Sequence, residues 1–396
     1  MAAATGEVLE RAILEDPDDL AGHAAYADWL TEQGDPRGEF IHVQLALEDP
    51  SRSADERKAL KKREAELLDK HGAQWRGDWA AQIERSGPSG RGQMEFARTD
   101  PDRFFVRGIL ASVALDQVNS ACATAFVRSQ QTRLVRELRI GGWLYEEDNT
   151  QEEEPARSIM ASWPYFANLR VFQLGWTSDE NYGDFCHFQC HLRADNTAEW
   201  IERMPRLEEL YLFADSVPTG RIFQLATLEH LRIMQIYHCW EYPLELLAAN
   251  RAFANLSHLL IHPKADGAWG EEPAPYLHFD AIRALLHSPH LPKLTHLRLR
   301  LTDMGDPGCE EIVHSRILKR LKVLDLRHGR ISDEGAKVLA SSPDLRNLQH
   351  LDVSRNQLTD AGIRLLQAAV ASLEASFQHS ANEIEEGTYL YNGDYE

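Results

Sequence analysis

Leucine, replaced in places by valine, isoleucine or phenylalanine, recurs along most of the chain in the spacing LxxLxL, with starts at Val135, Leu169, Leu207, Leu228, Leu256, Leu294, Leu321 and Leu348. Alternate side chains of an extended segment face opposite ways, so apolar residues at the first, fourth and sixth places enter a core and those beside them point outward. Each start therefore predicts a short strand with one buried face. The last three starts are each 27 residues apart, and Gly308, Gly335 and Gly362 align between them, as do Ile312, Leu339 and Leu366. In LKVLDLRHGRISDEGAKVLASSP and LQHLDVSRNQLTDAGIRLLQAAV the apolar period then lengthens to that of a helix, with Asp333 or Asp360 placed to cap it. One such unit cannot bury its own apolar face. Stacked units share an interior, so stability becomes a sum over nearest neighbours and the ends need covers. The earlier starts are spaced by 34, 38, 21, 28 and 38 residues, with the excess in EEDNTQEEEP, WTSDENYGDFCHFQCHLRADNT and HPKADGAWGEEPAPYLH, which predicts loops leaving the edge of the array.

Before residue 80 the apolar spacing is helical throughout. Thr5 is placed to cap a first helix carrying Val8, Leu9, Ala12 and Ile13 on one face, with Pro17 at its end. Asp18 or Asp19 opens a second over Leu20 to Gln33, and Gly34 sits where a left-handed C-terminal residue belongs. Asp35 and Pro36 start a third with Phe40, Ile41, Gln44 and Leu45 inward, ending at Pro50. Ser53 and Glu56 are spaced as a capping box for a fourth helix that carries Leu60, Leu67 and Leu68 and stops near Gly72. Tyr26, Trp29, Phe40 and Ile41 are the residues expected to hold these helices together.

Charge narrows the function. The 62 acidic and 42 basic residues give a formal charge of −20, which repels nucleic-acid phosphates and anionic membranes and favours basic partners. Short helices joined by tight turns invite a DNA-binding reading, but the segment up to Pro50 is rich in Asp and Glu. No nucleic-acid or membrane partner is expected. The N-terminal residues lack a basic region and carry acids inside the first apolar stretch, so they read as a helix and not a signal peptide. Cys122, Cys186, Cys190, Cys239 and Cys309 are few and odd in number, which predicts reduced thiols and a cytoplasmic protein.

The run ILEDPDDLAGHAAYADWLTEQGDPRGEFIHVQLAL, through Tyr26, Ala27, Asp28, Trp29 and Leu30 and then Gly34, Asp35, Pro36, Glu39, Phe40, Ile41 and Gln44, resembles the bacterial repeat-companion domain. The later units resemble the longer, ribonuclease-inhibitor-like class of leucine-rich repeat. These resemblances imply an α/β solenoid, with parallel strands on a concave face and helices and loops on the convex face, behind an α-helical domain of no known catalytic activity. The expected divisions are a helical domain over 1–80, a connecting segment and cap over 81–132, the repeat array over 133–378, and an acidic tail or cover over 379–396.

If the strands are placed as read, the residues beside the core leucines form a surface. The position before the second leucine holds Glu137, Val171, Glu209, His230, His258, His296, Val323 and His350, and two places on come Arg139, Gln173, Tyr211, Arg232, Leu260, Arg298, Asp325 and Asp352. The next outward position includes Phe213, Met234, His262, Arg300 and Arg327. Arginine forks beside imidazoles and aromatics suit carboxylate or phosphate recognition. The candidate partner-binding residues are therefore Tyr211, Phe213, His230, Arg232, His258, His296, Arg298, Arg300, Asp325 and Arg327, for a protein or peptide partner with an acidic segment. No catalytic residue, cofactor or metal is assigned. Cys186, Cys190 and His191, with His187 between them, are too few for a structural zinc site unless His238 and Cys239 approach. The pair Glu311 and His314 reads as the solvent edge of a helix, and no phosphate loop, nucleophile elbow or His-Glu-x-x-His appears. The competing class is an enzyme or metal-dependent regulator with a site between the helical domain and the repeats.

Overall fold

The structure is a computed structural model that describes residues 2–80, 104–143, 154–175, 194–214, 217–238, 242–263 and 277–380. It divides into two compact units, Met1–Val171 and Phe172–Glu396.

The first unit opens with four helices, α1 (Ala2–Glu15), α2 (Leu20–Glu32), α3 (Arg37–Glu48) and α4 (Ala54–Arg76). Asp19 accepts from the Ala21 amide, Asp35 from that of Arg37 and Ser53 from that of Glu56, while Glu56 accepts in return from the Ser53 amide. These are the caps the sequence calls for, and Gly34 takes the left-handed φ of 73°. Two boundaries differ from expectation. Thr5 lies inside α1, and α4 runs past Gly72 to Arg76 because Gly77, at φ 96°, is the residue that turns the chain. Ile13, Tyr26, Ala27, Leu30 and Ile41 form a core with Ile109 and Leu134, and Phe40 packs on Trp75 and Phe105. The crossing of α2 and α3 depends on Gly38, whose added Cβ would lie 2.5 Å from the Ala27 carbonyl oxygen.

A short antiparallel pair, β1 (Phe105–Val106) and β2 (Ile109–Leu110), then leads into parallel β3 (Ser112–Val118) and β4 (Glu137–Trp143). Two arginines tie this segment to the helices, Arg107 through Glu48 at 2.9 Å and Arg133 through Glu10. Arg133 forks onto Glu10, with Nε to Oε2 at 2.9 Å and Nη2 to Oε1 at 2.5 Å, and the Tyr26 hydroxyl donates to Glu10 Oε1 at 2.6 Å.

The second unit repeats strand, turn and helix. After β5 (Val171–Leu174), β6 (Glu209–Phe213), β7 (Ile233–His238), β8 (His258–Pro263), β9 (His296–Leu299), β10 (Val323–Asp325), β11 (His350–Asp352) and β12 (Leu373–Glu374) pair in parallel and in chain order. The last three regular coils carry their helices at Gly305–Ser315, Asp333–Ser341 and Asp360–Gln367. This is the α/β solenoid expected from the leucine spacing. Leu294, Leu297 and Leu299, Leu321, Leu324 and Leu326, and Leu348, Leu351 and Val353 are all buried.

Two devices recur at the 27-residue period. Leu301, His328 and Arg355 take left-handed backbone at φ 54°, 55° and 54°, turning the chain out of each strand at about 1–2 kcal/mol of strain per residue. Asp306 and Asp333 each reach into the following coil. Asp306 accepts from Ser332 N, Ser332 Oγ and Gly335 N, and Asp333 accepts from Thr359 N and Thr359 Oγ1. The helix caps are thus Ser332 and Thr359, not the aspartates expected from the sequence. A Cβ on Gly335 or Gly362 would collide with the carboxylate of Asp306 or Asp333, which explains the aligned glycines.

One repeat is read three residues out of place from its sequence. Ile233 pairs with Glu209 on one side and His258 on the other, so its core residues are Leu231, Met234 and Ile236. Leu228 is buried as well, ahead of a turn at Glu229 and His230, which is why both placements satisfied the leucine spacing.

Candidate interaction surface

The observed register fixes which residues share the strand face. One row runs Glu209, Ile233, His258, His296, Val323 and His350, and the next runs Tyr211, Gln235, Leu260, Arg298, Asp325 and Asp352. The shift in the fourth repeat removes two candidates from these rows. His230 is an exposed turn residue, and Arg232 precedes its strand, donating to Glu208 at 2.7 Å. Met234 is core, where the sequence had placed it outward.

His258 and His296 come together as their register predicts. Their rings stack with centroids 3.9 Å apart and planes 16° from parallel. Each Nδ1 meets the hydroxyl of the residue before it, Ser257 at 2.8 Å and Thr295 at 2.9 Å. Burial pushes both imidazoles below the usual histidine range, with Arg298 adding to the effect on both and His258 on His296. Arg298 lies half-buried on the same strand as His296.

The remaining candidates are engaged within the fold. Asp325 is 3% exposed and receives Nε and Nη2 of Arg300 at 2.8 Å each, while Arg327 Nη2 donates to the buried Asp352 at 2.8 Å. Burial would raise the Asp325 carboxyl, but Arg300 and Arg327 outweigh it and hold it below the usual carboxylate range. Asp325 Oδ1 also accepts from Arg327 N, and Asp352 Oδ1 from Ser354 N, so each aspartate closes its own turn and binds an arginine of the preceding coil. Phe213 is buried, with Tyr211 stacked on it at 6.5 Å. Glu311 meets His287 at 2.5 Å and Arg283 at 3.1 Å, placing it in an ion-pair cluster on the helix side.

Alternation along the strands did not identify His328, a buried imidazole at the left-handed turn, held well below its ordinary pKa by burial and then by Arg355, His379, His262 and Arg327. Its position 27 residues after Leu301 and before Arg355 was the available signal. Cys186, Cys190, His191, His187 and Cys239, the three long loops for most of their length, and residues 381–396 lie outside the described residues, as does the His238 side chain. Among the described residues no group of three or more His, Cys, Asp or Glu could hold a metal ion, and no helix is long and apolar enough to cross a membrane.

The family model described as Leucine Rich repeat matches residues 290–313, 320–340 and 344–366, the coils that share the 27-residue period. Residues 290–366 carry three leucine-rich repeats. Among solved structures the chain is similar to a protein from Bacteroides fragilis, at 18% identity over 68% of this chain and 72% of that one, with a TM-score of 0.44. It is similar to a chain of the Rad7 and Elc1 complex in yeast, at 14% identity over 67% of this chain and 62% of that one, with a TM-score of 0.44. An internalin from Listeria monocytogenes shares 15% identity over 63% of this chain and 70% of that one, with a TM-score of 0.34. No curated protein matches this chain.

Proposed function

We propose that this leucine-rich-repeat protein is a non-enzymatic interaction scaffold whose strand face, from β6 to β11, binds a protein or peptide through an acidic segment of that partner. The N-terminal helices act as a repeat-companion domain over 1–80 and, with the segment 81–132, cover the start of an array extending over 133–378. The observation that supports the reading is the stacked His258 and His296 pair beside the half-buried Arg298, a flat strip carrying an arginine on a chain of net charge −20. Arginine and flat aromatic rings are favoured anchors, and a charge-assisted hydrogen bond to a carboxylate is stronger than a neutral one. Net acidity argues against nucleic acid and anionic membranes as the partner.

The test begins with affinity purification of the full chain from its native host and identification of the captured protein. That partner is then titrated against wild type and Arg298→Glu. The reading expects affinity to fall at least about tenfold, corresponding to about 1.4 kcal/mol. Unchanged affinity discards the strip. Arg300→Glu is unsuitable, since it would set a second carboxylate against buried Asp325 and disturb the fold.

A further inference from the structure

Burial falls away at the last coil. Leu297, Leu324 and Leu351 share a register position and are fully buried, whereas Leu373 of β12, next in that row, is half-buried. Beside it, Leu299, Leu326 and Val353 are fully buried and Ala375 is half-buried. On the helix side Cys309 and Ala336 are fully buried, while Ile363, at the same 27-residue spacing, is half-buried. The left-handed row shows the same trend. Leu301 is 1% exposed and His328 3%, but Phe377, which follows Arg355 in that row at φ 53°, is 66% exposed. The Arg355 guanidinium lies over one face of its ring at 5.3 Å.

The coil is nonetheless fixed on the side that faces β11. Asn356 Nδ2 donates to Leu326 O at 2.9 Å and Val353 O at 3.0 Å, and its Oδ1 accepts from Ile331 N at 2.9 Å. Gln378 repeats this one coil later: its Nε2 donates to Val353 O and Ala375 O at 3.0 Å each, and its Oε1 accepts from Leu358 N at 2.9 Å. Leu351 N, Val353 N and Arg355 N donate to Ser372 O, Glu374 O and Ser376 O. In a parallel ladder the N–H and C=O of one residue point the same way, so the amides of Leu373, Ala375 and Phe377 point away from β11. Among the described residues none of the three donates a hydrogen bond. The array therefore ends on a strand edge with apolar side chains beside it, an arrangement that folded proteins cover.

We propose that residues 388–391, Thr-Tyr-Leu-Tyr, return antiparallel along β12 as one added strand and close this end of the array. The described residues stop at Ser380, just past Phe377, so the segment that follows starts at the edge it covers. Residues 381–387 span up to ~23 Å at ~3.3 Å per residue, more than the ~13 Å from Phe377 back to Leu373. Thr388, Tyr389 and Tyr391 favour strands, Gly387 and Gly393 bracket them, and alternation puts both tyrosines on one face. That face lies over Leu373, Ala375 and Ile363, with the hydroxyls left at the water. Glu383, Glu385 and Glu386 fall in the connection and Asp394 and Glu396 beyond the strand, so no acid is carried to the edge. A second copy is the competing occupant. Two chains of net charge −20 repel, whereas a tethered segment meets the edge at an effective concentration on the order of millimolar.

Residue-resolved hydrogen exchange on the full chain tests this. The amides of Leu373, Ala375 and Phe377 are expected to be protected. Tyr389→Ser combined with Tyr391→Ser should speed their exchange at least tenfold, while the Leu351 and Val353 amides, which donate to β12, stay within twofold. A second arm keeps both tyrosines through folding: a protease site set over residues 383–386 is cut in the folded protein and the freed peptide removed. The same three amides should then exchange at least tenfold faster, and adding the peptide of residues 387–396 should protect them again. Free exchange at the three amides in the unaltered chain overturns the proposal, as does protection that survives both the substitutions and the cut. Protection that rises with protein concentration, together with a dimer in sedimentation, gives the edge to a second copy and overturns it as well.

Discussion

The coils between Leu294 and Gln367 and the helical module at the front are held together in different ways. In the coils a contact is invented once and used again: Asp306 holds Ser332 and Gly335, and Asp333 holds Thr359, at the same spacing. The helical module has contacts that occur once, such as the Arg133 fork on Glu10 and the close passage of Gly38 over the Ala27 carbonyl. Repetition leaves a visible trace in sequence, because the same residues must reappear at a fixed interval. A single contact across 123 positions leaves none.

The largest expected effect comes from the shared interior. Leu324 is fully buried at the middle of its strand, and Leu324→Ala should cost about 2–5 kcal/mol in chemical denaturation. A cost under about 1 kcal/mol would show that the coils do not stack on one continuous core. In the helical module, Glu10→Gln should cost about 1.5–3 kcal/mol, because it removes charge from hydrogen bonds that Arg133 and Tyr26 both make. Burial pushes the Glu10 carboxyl up, but Arg133 and Tyr26 outweigh it, so the folded carboxyl sits below its usual range. Its stabilisation is therefore complete above the unfolded value of about 4.3 and fades as pH falls through the lower folded value. Denaturation midpoints from pH 6 down to 3 should fall more steeply for wild type than for Glu10→Gln. Parallel curves would remove Glu10 from this role.

The smallest expected effect is the sharpest contrast. Asp306→Ala should cost about 1–2 kcal/mol through lost hydrogen bonds to the following coil. Asp360 stands 27 residues after Asp333 at the same place on its helix, but it is exposed, and among the described residues its side chain makes no hydrogen bond. Asp360→Ala should therefore stay within about 0.5 kcal/mol of wild type. Equal costs at the two positions would mean that the aspartates act on their own helices and not between coils.

The same division explains what could be read from sequence. Leucine spacing located the strands, and the lengthened apolar period after each located the helices. Ambiguity entered where Leu228 and Leu231 both fit, since a buried residue just before a strand looks like the first residue of one. At the interaction surface, alternation brought His258 and His296 together but misjudged Asp325. A residue at the end of a strand can turn its carboxylate back to close the backbone turn and draw an arginine from the preceding coil with it. The stack and its hydroxyl partners were not legible either, because they depend on rotamers that the leucine period does not encode.

The aspartate clamp has an engineering consequence. Each carboxylate reaches only the coil immediately after it, so an added coil would have to part β11 from β12 and leave the earlier joints as they are. A 27-residue cassette beginning with strand residues and carrying Ser or Thr followed by Asp and then, two residues later, Gly would find at Asp360 the same acceptor that Ser332 finds at Asp306. Asp360 thus stands at the place on its helix from which Asp306 and Asp333 each reach forward.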